Sequence, residues 1–488
     1  MNIFRKVSPP PVPKKEMPCV QRRAGVLAPI FSLPCGDFGD SAFAFIDFLV
    51  RSDTTIWQVL PLSPPLMDGS PYQCASSFAI NPAFLSHDRL LGDLGFAARA
   101  SLEDRLKGRH LKRDVKSALK QFQEKERHWL PDYALFMAIK EQMGGGSWMT
   151  WPPSLRDRDS RALETFSKVH DDLIQDIVFE QFLLDRQWLE IVRAAHQQGV
   201  LLYGDLPIFV AGDSADVWAN RDQFLLDPAG QPTVVAGVPP DYFSATGQRW
   251  GNPLFDWPKM EADGFSWWRA RLKRQVDLFD WVRIDHFRGL AAYWSIPAEC
   301  DTAMEGQWVP APGAALLAAL REDMDGRLPV IAEDLGVITE DVTQLRKDFG
   351  LPGMKILQFA FDSDDENPYL PANHEVDSVV CTGTHDNDTT LGWWLSLDAS
   401  AQVRVREVLH ELGLSDEERM PDALIRAAYM SIAQLVVIPI ADWLGCDSSG
   451  RINTPGTATG NWIWQFSSSD LTDELAVRMA ALGEENRR

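Results

Sequence analysis

Eight short apolar runs, most of them followed by a stretch of helical pattern, set the tightest limit on what this chain can fold into. They are Ala24–Pro29, Ile56–Leu60, Val200–Asp205, Trp281–Asp285, Leu328–Glu333, Lys355–Phe361, Ser378–Thr382 and Gln434–Ile438. Their Val, Ile and Leu content without strict alternation predicts strands buried on both faces, as in a parallel sheet. Between them, Ile174–His196 repeats apolar residues at three- and four-residue spacing, and Phe265–Leu278 continues the pattern. Thr339–Asp348 opens on an N-cap candidate, has an acidic first turn, and stops before Gly350. Strands alternating with helices argue for βαβ units, and eight of them favour a closed (β/α)8 barrel over an open sheet.

The chain has 488 residues, which a single barrel reaches only with insertions. Residues 86–172 and 211–262 are too long for simple connections and read as helical and loop subdomains set into the barrel. Residues 1–20 are basic and Pro-rich with no apolar core, so they read as a flexible leader rather than a secretory signal. The remainder, 21–488, reads as one catalytic domain.

A formal net charge of −22 repels phosphate backbones and anionic lipid, so nucleic acid and membrane surfaces are poor partners and a neutral substrate suits the chain better. No run is long enough to span a bilayer, and the cytoplasm is the expected address. Six scattered cysteines form no CxxC pair and imply neither a metal ribbon nor a disulfide framework. Among 18 tryptophans, Trp148, Trp151, Trp250, Trp257, Trp462 and Trp464 lie in turn-like surroundings and are candidates for stacking on sugar rings.

Polar residues crowd the C-terminal ends of three predicted strands: RIDHFRG at 283–289, AEDLG at 332–336 and TGTHDND at 382–388. In a parallel barrel all strand C-termini open on one face, so these loops converge. Retaining glycoside chemistry needs two carboxyl groups roughly 5–5.5 Å apart, one to attack the anomeric carbon and one to protonate the leaving oxygen. Asp285 and Glu333, on adjoining strands about 4.8 Å apart, can supply them. Arg283, two residues before Asp285, faces the same way as its counter-charge. Singly, each residue has a plainer reading: Asp285 or Asp386 as a helix cap, Glu333-Asp334 as an acidic loop, His286 and His385 as structural hydrogen-bonding groups. A metal centre of Asp285, His286, His385 and Asp386 is disfavoured, because adjacent strand residues point to opposite faces.

With these residues in view, the sequence resembles the 4-α-glucanotransferases of the amylomaltase type, glycoside hydrolase family 77, related to the α-amylases. The likeness runs from about Arg22 to Trp464 and rests on SPYQCASSFAINP (70–82), GDLPIFVAGDSADVW (204–218), VAGVPPDYFSATGQRWGNPLFDW (235–257), RIDHFRGL (283–290), IAEDLG (331–336), LPGMKILQFAFD (351–362), GTHDNDTTLGWW (383–394) and RINTPGTATGNWIW (451–464). The resemblance implies Asp285 as nucleophile, Glu333 as general acid/base and Asp386 as a third carboxylate that holds sugar hydroxyls. It also implies that Arg283, His385 and Asp205 serve the donor sugar, that Tyr242 and Phe243 lie on a loop covering the cleft lined by Gln248 and Trp250, and that Tyr72 and Asp362 are acceptor-side positions. It calls for α-1,4-glucans and maltooligosaccharides as substrates, glucose as acceptor, and no cofactor or metal. Monomer and homodimer stay open. An α-amylase-like hydrolase is the alternative, separated by whether water or a sugar hydroxyl attacks the intermediate; a non-catalytic glucan-binding protein is disfavoured because all three carboxylates are present.

Overall fold

The computed structural model describes residues 21–93, 113–240, 244–415 and 417–488. The leader, the middle of the first insertion, and Tyr242 and Phe243 lie outside the described residues. Twelve strands follow in chain order: β1 (Arg23–Leu27), β2 (Ile56–Gln58), β3 (Leu201–Leu206), β4 (Val234–Val238), β5 (Gln248–Pro253), β6 (Trp281–Ile284), β7 (Ala292–Pro297), β8 (Gln307–Pro310), β9 (Val330–Ala332), β10 (Gly353–Ile356), β11 (Ser378–Cys381) and β12 (Leu435–Pro439). Eight are parallel, in the order β10-β11-β12-β1-β2-β3-β6-β9. These are the eight expected strands, all found. β10 begins two residues earlier than the apolar run suggested, because Leu357–Phe359 turns into a 3-10 helix.

The barrel closes between β9 and β10. Ala332 N–H donates to Pro352 C=O at 2.8 Å, and Met354 N–H donates to the Asp334 carboxylate at 2.8 Å. Arg346 Nε stands 3.1 Å from the other Asp334 oxygen. Gly353 makes room for this seam, since a Cβ there would come within 2.5 Å of Asp334 Oδ2.

Side-chain alternation divides the strand residues between two cores. Leu27, Ile56, Tyr203, Trp281, Ile331, Met354, Val379 and Leu435 fill the lumen, while their neighbours Val26, Trp57, Leu202, Val282, Val330, Val380 and Val436 pack outward on the helices. With a period of two, the residues that follow the lumen set toward the C-terminal rim also point inward. That places Asp205, Arg283, Asp285 and Glu333 above a sealed apolar floor.

The helix Asp171–Gln197 spans 27 residues against the barrel wall, as its apolar spacing predicted. Thr339 does stand at the N-cap of Glu340–Asp348, but its hydroxyl makes no cap bond; it lies 3.4 Å from Arg288 Nη1. The second insertion is more than a loop. Its strands β4 and β5 join β7 and β8, from the far side of β6, in an antiparallel sheet ordered β5-β4-β7-β8. Three of the six singled-out tryptophans are core: Trp148, Trp151 and Trp257 are buried, and Trp148 Nε1–H donates to Gly212 C=O at 2.8 Å. Polar neighbours in sequence made them look like surface residues. Trp250, Trp462 and Trp464 are half-buried. No helix among the described residues is long and apolar enough to cross a membrane.

Gly353→Ala should push the Asp334 carboxylate off the seam at a cost of ~1–3 kcal/mol. The urea midpoint should fall accordingly; an unchanged midpoint would show that the seam does not depend on this close approach.

Candidate active site

Strand register brings the charged residues together. Asp205 pairs across with Arg283, and Ile284 with Ala332, so Asp285 and Glu333 are the next residues on the adjoining β6 and β9. Glu333 N–H donates to Ile284 C=O at 3.1 Å and Asp285 N–H to Leu206 C=O at 3.0 Å, which extends the ladders to this level.

Arg283 is the hub. Its Nη1 lies 2.9 and 2.7 Å from the two Asp205 oxygens, and its Nη2 lies 2.7 Å from Asp285 Oδ1. Arg283 and Asp205 are both buried, whereas the Asp285 side chain is 29% exposed and open to a ligand. Burial pushes the Asp205 carboxyl upward, against the pull of Arg283 and of the Tyr72 hydroxyl, which donates at 2.9 Å. In return the surrounding carboxylates hold the Arg283 guanidinium firmly charged despite its burial.

Glu333 sits differently. Its Oε2 accepts from His286 N–H at 2.6 Å and its Oε1 from Leu335 N–H at 3.0 Å. Burial, the largest influence, lifts its carboxyl to about 8; Arg283 and the two backbone donors pull the other way, and Asp285 adds to the upward push. Two carboxyls on neighbouring strands thus differ sharply in setting: one rimmed by solvent and paired with a cation, the other dry and able to keep its proton near neutrality. His286 aims its N–H at Glu333 from a left-handed backbone, φ 49°, that few residues with a side chain adopt. Burial holds its ring neutral, down to about 4, and the ring meets Trp250 edge to face at 4.8 Å.

Asp386 reaches the same face from the loop after β11. Its side chain is 47% exposed, with Oδ1 3.4 Å from His385 Nε2 and 2.6 Å from Asn453 Nδ2. Arg451 Nη2 donates to the Asp386 carbonyl at 2.7 Å. Asn453 and Arg451 are the site residues that reading the sequence missed. Both stand in the RINTPG stretch already singled out, but 67 and 65 residues away from Asp386 along the chain. The His385 ring stacks on Tyr72 at 4.9 Å, and Trp462 leans on both. The structure therefore sets Tyr72 against Asp205 and His385, inside the cluster. Gln248 is exposed on β5, where its Oε1 accepts from Trp250 Nε1–H at 3.1 Å. Asp362 stands on the exposed segment after β10 with Asn367 Nδ2 3.3 Å away. Among the described residues no group of three or more His, Cys, Asp or Glu is arranged to hold a metal ion.

Known proteins share this arrangement of chain. Residues 29–472 match the family described as 4-alpha-glucanotransferase. The 4-alpha-glucanotransferase of Synechocystis sp. is 44% identical, over 95% of this chain and 97% of its own length. That of Thermus thermophilus is 44% identical over 96% and 99%. A solved amylomaltase from Streptococcus agalactiae, in complex with acarbose, superposes with a TM-score of 0.89 at 33% identity, over 96% of this chain and 100% of that one. The amylomaltase of Corynebacterium glutamicum has the same fold, with a TM-score of 0.75 at 18% identity, covering 96% of this chain and 75% of its own.

Arg283→Met would leave Asp205 buried without its counter-charge, an expected loss of ~3–5 kcal/mol at neutral pH. The penalty should shrink as pH falls, because a protonated Asp205 needs no cation. Urea titrations at neutral and mildly acidic pH check this; a loss that does not depend on pH would deny the ion pair its place at the centre of the cluster.

Proposed function

Because the chain belongs to the 4-α-glucanotransferase family, we propose that Asp285 is its nucleophile, Glu333 its general acid/base and Asp386 the carboxylate that grips the sugar at the reacting bond. The activity itself is transfer of α-1,4-glucan segments from a donor to glucose or a maltooligosaccharide. The observation that carries the residue assignment is the register of β6 and β9, which sets Asp285 and Glu333 side by side on neighbouring strands, one paired with Arg283 and the other lifted to about 8.

Chemistry follows from those two settings. Asp285 attacks the anomeric carbon as Glu333 gives its proton to the glycosidic oxygen, and the C–O bond to the leaving chain breaks. A covalent glucosyl ester on Asp285 remains, with Glu333 now ionised. The 4-hydroxyl of an acceptor then loses its proton to Glu333 while its oxygen displaces Asp285, so configuration is retained. Arg283 stays paired with Asp285 while the carboxylate passes from anion to ester and back. It thus favours the carboxylate as a leaving group in the second step. Asn453 fixes one oxygen of Asp386, which leaves the other free for sugar hydroxyls. Tyr72 and His385 form an aromatic wall, and Trp250 lines the side covered by the antiparallel sheet.

Transfer rather than hydrolysis requires that an acceptor outcompete water. The sheet that carries Gln248 and Trp250 supports that reading, since it sets the Trp250 ring 4.8 Å from His286, next to Asp285, where an indole face suits an acceptor sugar better than water.

With maltotriose, glucose and longer oligosaccharides should appear while reducing ends stay constant; a steady rise in reducing ends would establish hydrolysis instead. Asp285→Asn should abolish turnover, and Glu333→Gln should lower it by about 10²–10⁴. Since Glu333 must carry its proton at the start, kcat/KM should fall as pH rises through about 8. An alkaline limb that persists unchanged in Glu333→Gln would assign the acid to another group.

A further inference from the structure

Glu333 takes one of its two backbone donors from a turn that little else holds. Leu335 N–H reaches back to Glu333 Oε1 at 3.0 Å. The chain then runs through Gly336, left-handed at φ 82°, and the exposed Val337 before the helix Glu340–Asp348 begins. A Cβ on Gly336 would meet nothing within 4 Å, so packing does not fix the turn. Backbone pairing does not fix it either, since the N–H groups of Leu335, Gly336 and Val337 reach no backbone carbonyl among the described residues. Two side chains tether it instead. Arg288 Nη1 donates to Val337 C=O at 2.6 Å, and Gly336 N–H donates to the Tyr369 hydroxyl at 3.3 Å. The second tether lies one residue from the N–H that Glu333 uses.

We propose that Tyr369 is a positioning residue for the acid/base: its hydroxyl fixes the Leu335–Gly336 turn and so keeps a backbone N–H on the Glu333 carboxyl. The inference rests on the assignment of Glu333 above and adds to it the group that holds its surroundings in place.

Tyr369 is built to hold still. It comes from the segment between β10 and β11, across the seam where the barrel closes. Its own N–H donates to Asn367 Oδ1 at 2.8 Å, and His374 Nε2 stands 2.9 Å from its C=O. Asn367 is buried and donates through Nδ2 to Phe359 C=O at 2.8 Å, and the Phe359 ring meets the Tyr369 ring edge to face at 5.6 Å. The phenol oxygen therefore has a set position. A water that took its place on Gly336 N–H would have none.

The charges around the pair decide what the tether does. Arg283 and Asp285 on β6 face Glu333. Asp334, its neighbour in sequence, is turned to Met354 N–H and Arg346 at the seam. Glu333, Asp334 and Asp362 face the Tyr369 phenol, and Lys355 Nζ lies 6.0 Å from its ring. Burial pushes that phenol up to about 12, so it keeps its proton while Glu333 titrates. The His286 ring is already neutral in this range. A backbone donor favours the ionised form of a carboxyl, so the Leu335 N–H steadies the anion that Glu333 becomes once its proton is given up. Loosening the turn withdraws that help and raises the Glu333 carboxyl further.

Tyr369→Phe removes the hydroxyl and keeps the ring. In that variant the alkaline limb of kcat/KM for maltotriose should move up by about 0.5–1 pH unit, the change expected when one donor to a carboxylate is loosened. At neutral pH kcat should fall about three- to tenfold with KM unchanged, since Glu333 is then a weaker acid. The burst of fluoride from α-maltosyl fluoride, whose leaving group needs no proton, should be as fast as in the wild type. A limb that stays in place in Tyr369→Phe, or a fluoride burst slowed as much as kcat, would overturn the proposal. Glu333→Gln separates the two readings: if it retains the wild-type limb, the acid/base assignment fails and takes this proposal with it. If it loses the limb while Tyr369→Phe leaves the limb where it was, the role of Tyr369 alone is refuted.

Discussion

A single guanidinium holds the working end of this barrel together. Arg283 lies just above the apolar layer of the lumen, and burying a cation there is tolerable only because Asp205 and Asp285 surround it. Each of those carboxylates in turn depends on the cation. The arrangement cannot be assembled piecemeal: strands β3 and β6 must be in register, the lumen must be sealed below, and the C-terminal rim must stay open above. The fold meets these conditions through side-chain alternation, which sends the apolar set inward at the floor and the charged set inward one step higher.

Asymmetry between two carboxyls is the chemical product of that arrangement. Asp285 and Glu333 sit at equivalent levels of adjoining strands, yet one meets a cation and solvent while the other is enclosed and held by backbone N–H groups. Nothing about an aspartate or a glutamate as such gives them these different settings. Burial does, and burial is set by which residue lies under the His286 turn.

Much of this was legible in the order of residues. The strand ends could be found because a short Val/Ile-rich run followed at once by Asp, Glu or His is an unusual juxtaposition, and a parallel barrel gives it a meaning. Other features were hidden by distance or by poor signal. The antiparallel sheet joins VVAGV and QRWGNP to AYWSIP and QWVP, strands that are short, rich in Gly and Pro, and divided by β6 in the chain. Asn453 gave no sign of its grip on Asp386, since a lone Asn in a loop is ordinarily a turn residue. Trp148 and Trp151 are buried despite their polar sequence neighbours, because local polarity says little about burial when a whole subdomain folds over the segment.

That divided sheet has a consequence for how the enzyme can vary. Two of its strands precede β6 and two follow it, so the canopy beside Trp250 is stitched through the barrel rather than laid on it. Exchanging residues 211–262 as a cassette would transplant half a sheet. Any lineage that reshapes this roof has to alter both flanks of β6 in concert, under the constraint of keeping Arg283 and Asp285 in place between them.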